Sequence, residues 1–430
     1  MISKNTTLGS IAELKTGPFG TQLHADEYVS DGIPIINVRN IGYGEIIAKD
    51  FDMVSKETQS RLSEHTLKEN DIVFGRKGSI DRHAFIDKRY EGWMQGSDCI
   101  RVRIRDNRIN PKYVSHYLKL DSIKKQLTNG AVGSTMPSMN TDILKSIVIA
   151  LPEREEQDAI EAVLSSIEYK IGNNTTICSD LENMAKLLYD YWFVQFDFPD
   201  ENGRPYKSSG GKMVWNEELK REIPEGWEVV PFGECISSIN TGLNPRDNFK
   251  LNTGGTIRYL TVKNLTKEGV IDFTTCDTID EEARSIVHRR SDIRIGDILF
   301  ASIAPLGRCS MIIDEPTDWD INESIFSVRP NFTNMTTVFL YMTFMGEAFI
   351  KKAEGSSAGS VFKGIRISEL QDLKTIRPPM TILKAFDNTV HQLFEAKENA
   401  VNESQQLASL RDFLLPMLMN GQVKVRKAGV

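Results

Sequence analysis

Apolar positions recur along this chain with two periods, one suited to strands and one to long helices. Short apolar runs at Ile33 to Val38, Asp71 to Phe74 and Ile100 to Ile104 predict strands, and Pro111 to Leu127 predicts a helix ending near Asn129-Gly130. After Leu151-Pro152 the acidic residues Glu153, Glu155 and Glu156 suit a helix start, where the backbone dipole favours negative charge. From there a seam steps alternately by four and three: Ile160, Leu164, Ile167, Ile171, Asn174, Cys178, Leu181, Ala185, Leu188, Trp192. That is the spacing of a coiled-coil helix about 50 Å long at ~1.5 Å per residue.

The pattern then repeats about 226 positions later. Leu8-Gly9 and Thr16-Gly17 return as Phe232-Gly233 and Thr241-Gly242, and Ile33 to Ile41 returns as Ile257 to Leu265. Asp71-Ile72-Val73-Phe74 returns as Asp297-Ile298-Leu299-Phe300, and the glycine-serine segment from Gly130 returns from Gly355. The second seam reads Phe386, Val390, Leu393, Lys397, Ala400, Ser404, Leu407, Arg411, Leu414, Leu418, apolar at its ends and more polar between, with Pro416 expected to end or kink the helix near Leu415. A period this long duplicates a whole domain plus a helix, since solenoid units run to only about 50 residues. The expected plan is a mixed α/β (α+β) globular unit over 1–150, a long helix over 151–198, a linker over 199–225, a second unit over 226–379, a second helix over 380–421 and a tail over 422–430. A seam directly after each unit makes the two helices each other's expected partners, in a direction the pattern leaves open. Asn174, Lys397 and Arg411 are polar insertions that fix register in such pairs at a cost in stability.

Composition adds boundaries. The 430 residues are 40% hydrophobic with no apolar run near the ~18 residues of a membrane span, so no membrane partner is expected. Residues 4–9 have no apolar core of a secretory signal, and five cysteines without paired spacing fit a reducing cytoplasm and no zinc site. The net charge of −7 sits largely on the first long helix, where residues 151–200 carry three basic and eleven acidic side chains. Charge alone therefore leaves the partner open.

Catalytic signatures are missing. The chain has no phosphate loop, GxGxxG, HExxH or GxSxG, and its six histidines lack metal-ligand spacing. Polar residues instead gather at matching loops of the two copies. The first set is Lys15, Thr16, Arg39, Asn40, Arg76, Lys77, Ser134 and Thr135; the second is Asn240, Thr241, Lys263, Asn264, Arg308, Ser356, Ser357 and Lys363. Arg and Asn suit guanine and adenine edges, and Ser, Thr and Lys suit phosphates, which makes these the candidate DNA contacts.

Unit, helix, unit, helix in this order resembles the specificity subunit of type I restriction–modification systems over nearly the whole chain. The strings that carry the resemblance are Ile223-Pro224-Glu225-Gly226-Trp227-Glu228, Gly296-Asp297-Ile298-Leu299-Phe300, Leu151-Pro152 through Glu156-Gln157, and Tyr191-Trp192-Phe193 with Phe196-Asp197. The second helix departs from it, opening Met380-Thr381-Ile382 without the Glu-Gln pair. The resemblance implies a non-catalytic reader of a bipartite double-stranded DNA target, one half per unit, with antiparallel helices as the ruler. It also implies two modification subunits that bind S-adenosylmethionine and methylate adenine, and restriction subunits that use ATP and Mg, leaving no cofactor in this chain. Two other classes stand against it: a stand-alone DNA methyltransferase or nuclease with built-in recognition domains, and a coiled-coil scaffold that binds no DNA.

Overall fold

The computed structural model describes residues 4–20, 22–130, 138–246, 248–356 and 364–425. It divides into two compact units, one of residues 1–172 with 404–430 and the other of residues 173–403, so each long helix contributes to both.

In the first unit the main sheet orders its strands Ala12–Thr16, Cys99–Ile104, Ile72–Gly75, His83–Phe85 and Tyr43–Gly44. A second sheet orders Tyr28–Val29, Asp52–Val54, Ile33–Ile36 and Met94–Gln95, and Lys4–Thr7 pairs with Val148–Leu151. The second unit repeats this: Ile236–Thr241, Ile325–Pro330, Ile298–Ala301 and Cys309–Met311 in one sheet; Asp277–Ile279, Ile257–Leu260 and Trp319–Ile321 in the other; Glu228–Pro231 paired with Lys374–Arg377. The duplication read in the sequence is thus a duplication of strand order.

The repeated Asp-Ile-Val/Leu-Phe string has a physical reason. Ile72 and Phe74 fill the first unit's core, as Ile298 and Phe300 fill the second's, while Leu8 and Phe232 sit beneath them. The aspartate is buried and works as a clamp. Asp71 accepts two parallel bonds from Arg103, from Nε and Nη2 at 2.7 Å each, and one from the Lys68 N–H at 2.7 Å. Asp297 takes the same three, from Arg329 Nε at 2.7 Å and Nη2 at 2.8 Å and from the Arg294 N–H at 3.0 Å, and adds Ser327 Oγ at 2.9 Å. Bidentate charge-assisted bonds of this kind lock the two central strands in register.

The long helices run Arg154–Tyr189, closing in a π turn at Asp190–Val194, and Met380–Met419. Within the second unit their stretches are antiparallel. Asn174 Nδ2 donates to the Ala400 carbonyl at 3.3 Å and to Glu403 at 2.8 Å, Cys178 faces the Lys397 carbonyl, and the Trp192 and Phe386 rings lie 5.5 Å apart. Ala185, Phe386 and Val390 are buried there, with Leu188 and Leu393 packed against them. Lys397 sits on the seam, yet its Nζ reaches the Glu268 carbonyl at 2.7 Å and Glu182 at 3.5 Å, so both polar insertions are satisfied rather than exposed to an apolar wall. Within the first unit Ile160 and Leu164 share a core with Leu415, Leu418, Met419 and Leu414, which is again antiparallel. Ile167 is buried and Ile171, Leu181 and Leu407 are half-buried. Arg411, half-buried, hydrogen-bonds its neighbour Asp412.

Three expectations change. Pro416 does not stop the second helix, which continues to Met419. Proline removes only the bond to the exposed Asp412 carbonyl, and Leu415, Leu418 and Met419 are buried around it, so packing outweighs the loss. The helix expected over Pro111 to Leu127 is two, Pro111–Tyr117 and Asp121–Gly130. Leu118 and Leu120 are both buried, and two residues about 200° apart on one continuous helix would not share a core. Residues 199–225, expected as a linker, contain the hairpin Met213–Asn216 with Arg221–Pro224, and Phe198 stacks between Tyr206 (4.7 Å) and Trp227 (5.1 Å). Among the described residues no helix is long and apolar enough to cross a membrane.

A pH dependence follows from the second helix. Thr336 Oγ1 donates to Asp387 at 3.1 Å, and burial pushes the Asp387 carboxyl from 3.8 up to about 6. The folded unit therefore binds a proton where the unfolded chain does not, and the contribution of Asp387 to stability falls as pH rises from about 4 to about 6, then levels. Asp387→Asn is expected to flatten that decline, which is bounded at about 1.4 kcal/mol per pH unit; urea titrations at pH 4, 5, 6 and 7 check it.

Candidate nucleic-acid interface

In each unit the chain leaves the main sheet through loops gathered at one end, and backbone crowding fixes where they depart. Gly17 donates its N–H to the Cys99 carbonyl at 2.9 Å, and a Cβ there would lie 1.9 Å from the Gly96 oxygen. Gly242 does the same with the Asn322 carbonyl at 3.2 Å, and a Cβ would lie 1.6 Å from the Ile321 oxygen. Thr-Gly recurs because nothing larger than glycine fits.

The Val-Arg/Lys-Asn strings form short 3-10 turns at Val38–Asn40 and Val262–Asn264. Here two candidates are corrected. The Asn40 and Asn264 side chains are fully buried: each oxygen takes the N–H of the residue three before it, Asn37 and Thr261, and each amide donates into the following loop, to Ile47 and Lys49 or to Asp272 and Thr275. They hold the turn and have no donor left for a base. Arg39 and Lys263 stay half-exposed beside matching carboxylates, Asp52 at 2.7 Å and Asp277 at 3.5 Å, and Arg39 also binds the Asp50 carbonyl. Lys15 pairs with Glu64, and Thr16 ends its strand opposite Ile100. Asn240 lies mid-strand opposite Ser327, and Thr241 accepts a bond from Arg290 Nε at 3.3 Å.

Two hairpins project at this end, closed by the same bond: Gly75 N–H to the Arg82 carbonyl (3.4 Å) and Ala301 N–H to the Arg308 carbonyl (2.9 Å). Arg76 lays its guanidinium 4.4 Å over the Phe19 ring, and Lys77 pairs with Asp98 at 3.0 Å. Arg308 donates to the Leu265 carbonyl at 3.0 Å. Its structural counterpart is Arg82, not Arg76, and Arg82 with Lys124 flanks the exposed Tyr43 ring at 5.0 and 5.1 Å. Phe19 belongs to a loop the sequence already sets toward DNA, whereas Tyr43, Arg82, Lys124 and Arg290 were not among the candidates; the offset from Arg308 points to Arg82, while Tyr43 carries no local signal. Ser134, Thr135, Ser357 and Lys363 lie outside the described residues, and Ser356 closes the helix Glu347–Ser356. The flanks of both segments dock on the hairpins through the same pairings, Lys77 with Ser138 and Ile303 with Gly364.

Buried titratable groups belong to the core. His83 contacts Ser115 at 3.0 Å and burial lowers it to about 3, burial lowers His116, and burial pushes the Cys99 thiol up to about 12. Neutral groups so placed serve neither as nucleophiles nor as general acids near pH 7.

The model of the family described as type I restriction modification DNA specificity domain matches twice, over residues 3–183 and 224–403. The specificity subunit of the type I restriction enzyme MjaIX from Methanocaldococcus jannaschii is 27% identical over 316 residues, covering 74% of this chain and 70% of that protein. The HindI specificity subunit of Haemophilus influenzae is 22% identical over 446 residues, covering 90% and 94%. The solved S subunit of a type I restriction–modification system from M. genitalium shares the fold at a TM-score of 0.55 and 17% identity, covering 96% of this chain and 95% of that one.

Proposed function

From the premise that the chain belongs to the type I restriction modification DNA specificity family and is a non-catalytic sequence-specificity subunit, we propose that it reads an asymmetric split target in double-stranded DNA. One half falls to each unit, and the chain brings two modification subunits and the restriction subunits to that site. Adenine methylation with S-adenosylmethionine, and cleavage with ATP and Mg, then belong to those partners. The observation that carries this reading is that the two units share their strands and buried clamps yet differ in the loops at one sheet end: Phe19, Arg76 and Lys77 in the first stand where Asn244, Ser302 and Ile303 stand in the second. A shared scaffold with different loops suits two different half-sites.

The long helices supply matched surfaces for two copies of one partner. Met184 and Leu187 are 50% and 69% exposed on the second unit, and their counterparts Leu410 and Phe413 are 45% and 61% exposed on the first. Exposed apolar pairs at register-equivalent positions suit one modification subunit each. Co-expression with that subunit and methylome sequencing is expected to give an asymmetric interrupted motif. Leu187→Asp and Phe413→Asp should each leave one modification subunit bound by native mass spectrometry, and the double variant none. Methylation by the chain alone would establish the stand-alone enzyme instead; a partner complex that binds no DNA would establish the scaffold.

A further inference from the structure

We propose that the first half-site contains a guanine met by Arg76 and the second a thymine whose methyl group is met by Ile303; this rests on the DNA-reading role proposed above. The two hairpins are closed and docked alike, so their positions correspond one to one. Yet Arg76 to Asp81 and Ser302 to Gly307 share no residue at matched positions. What the hairpins present to a ligand therefore differs while their placement does not.

Arg76 is the prepared donor of the first hairpin. Its backbone is held on both sides, N–H to the Asp98 carbonyl at 2.7 Å and carbonyl to the Met139 N–H at 2.9 Å. Its guanidinium rests 4.4 Å from the Phe19 centroid and has no hydrogen-bond acceptor among the described residues, whereas neighbouring Lys77 is already paired with Asp98. A planar fork fixed on a ring loses little freedom on binding and matches the O6 and N7 acceptors of guanine.

At the matched position of the second hairpin Ser302 is buried, and its Oγ donates to the Ser324 carbonyl at 2.8 Å, so it has nothing to offer. The next residue, Ile303, is 41% exposed and is followed by Ala304, Pro305 and Leu306. An apolar tip of this kind offers no hydrogen bond to a base edge. The one apolar feature of the major groove is the thymine C5-methyl group.

Base analogues test both halves in one complex. The chain with its modification subunits is titrated with duplexes carrying its methylation site, each first-half guanine replaced in turn by 7-deazaguanine and each second-half thymine by deoxyuridine. One 7-deazaguanine position is expected to weaken binding on the order of tenfold, within the roughly 5- to 150-fold span of a bidentate contact. One deoxyuridine position should weaken it about fourfold, the worth of one buried methyl group. Arg76→Ala should abolish the first sensitivity and leave the second, and Ile303→Ala the reverse, each half serving as the folding control for the other. Wild-type binding indifferent to 7-deazaguanine at every first-half guanine, or to deoxyuridine at every second-half thymine, overturns the assignment. So does an Arg76→Ala variant weakened equally on all sequences, which would make the contact one to phosphate. A complex that prefers no sequence at all would sink the DNA-reading role, and this inference with it.

Discussion

Asp71→Ala is expected to cost the first unit about 3 to 5 kcal/mol, the usual loss when one partner of a buried charge pair is removed. The carboxylate is fully buried, so the substitution leaves the Lys68 N–H without its acceptor and the Arg103 guanidinium with the neutral Thr66 carbonyl at 3.3 Å in place of a charged partner. Asp297→Ala removes the equivalent group, but Arg329 keeps Asp292 at 3.0 Å and the Asp292 carbonyl, so its loss should lie near the lower bound, about 3 kcal/mol. Hydrogen exchange resolved by peptide separates the two units where a single melting curve would not. Protection should fall across 72–104 in the first variant and across 298–330 in the second. Unchanged exchange in both would show the clamps to be idle.

These clamps also explain what was legible. Strings that recur in both copies were visible at once, and three of them hold the scaffold: Asp71 and Asp297 lock central strands, Gly17 and Gly242 admit a close backbone, and Asn40 and Asn264 pin a turn. Recurrence was mistaken for reading at the asparagines. A side chain that must fold back on its own loop is constrained alike in both copies, whereas a side chain that meets a different base in each half has no reason to recur. The seam was legible because burial on a helix face has a period, and Ile160, Leu164, Asn174, Phe386 and Val390 are buried as that period requires. The stacking of Phe19 under Arg76, and Tyr43 as a whole, were not, because Arg76 and Arg82 come from a distant hairpin. The hairpin within 199–225 was hidden for a similar reason. Its many charged residues read as linker, and the core it joins appears only in the packing of Ile223 and Met213 with the aromatic stack of Phe198, Tyr206 and Trp227.

Lengthening both long helices by one heptad is expected to move the methylated motif without changing either half-site. The insertion belongs between Gly172 and Asn173 and between Glu403 and Ser404, where both helices pass from one compact unit to the other, so that contacts inside each unit are retained. Cys178 facing Lys397 and Asn174 facing Ala400 show the antiparallel register that makes these two points a matched pair. Seven residues preserve the four-three seam and add about 10 Å of rise, close to three base pairs at ~3.4 Å each. Three base pairs also turn the second half-site by roughly 100° about the DNA axis, given 10 to 10.5 per turn. Twisting the duplex or the units to meet it costs energy, so the new site should bind more weakly than the original. Methylome sequencing of cells carrying the lengthened chain with its modification subunit should show a spacer longer by about three base pairs. A variant that assembles with its partner and still methylates at the original spacing would show that helix length does not set the distance between half-sites.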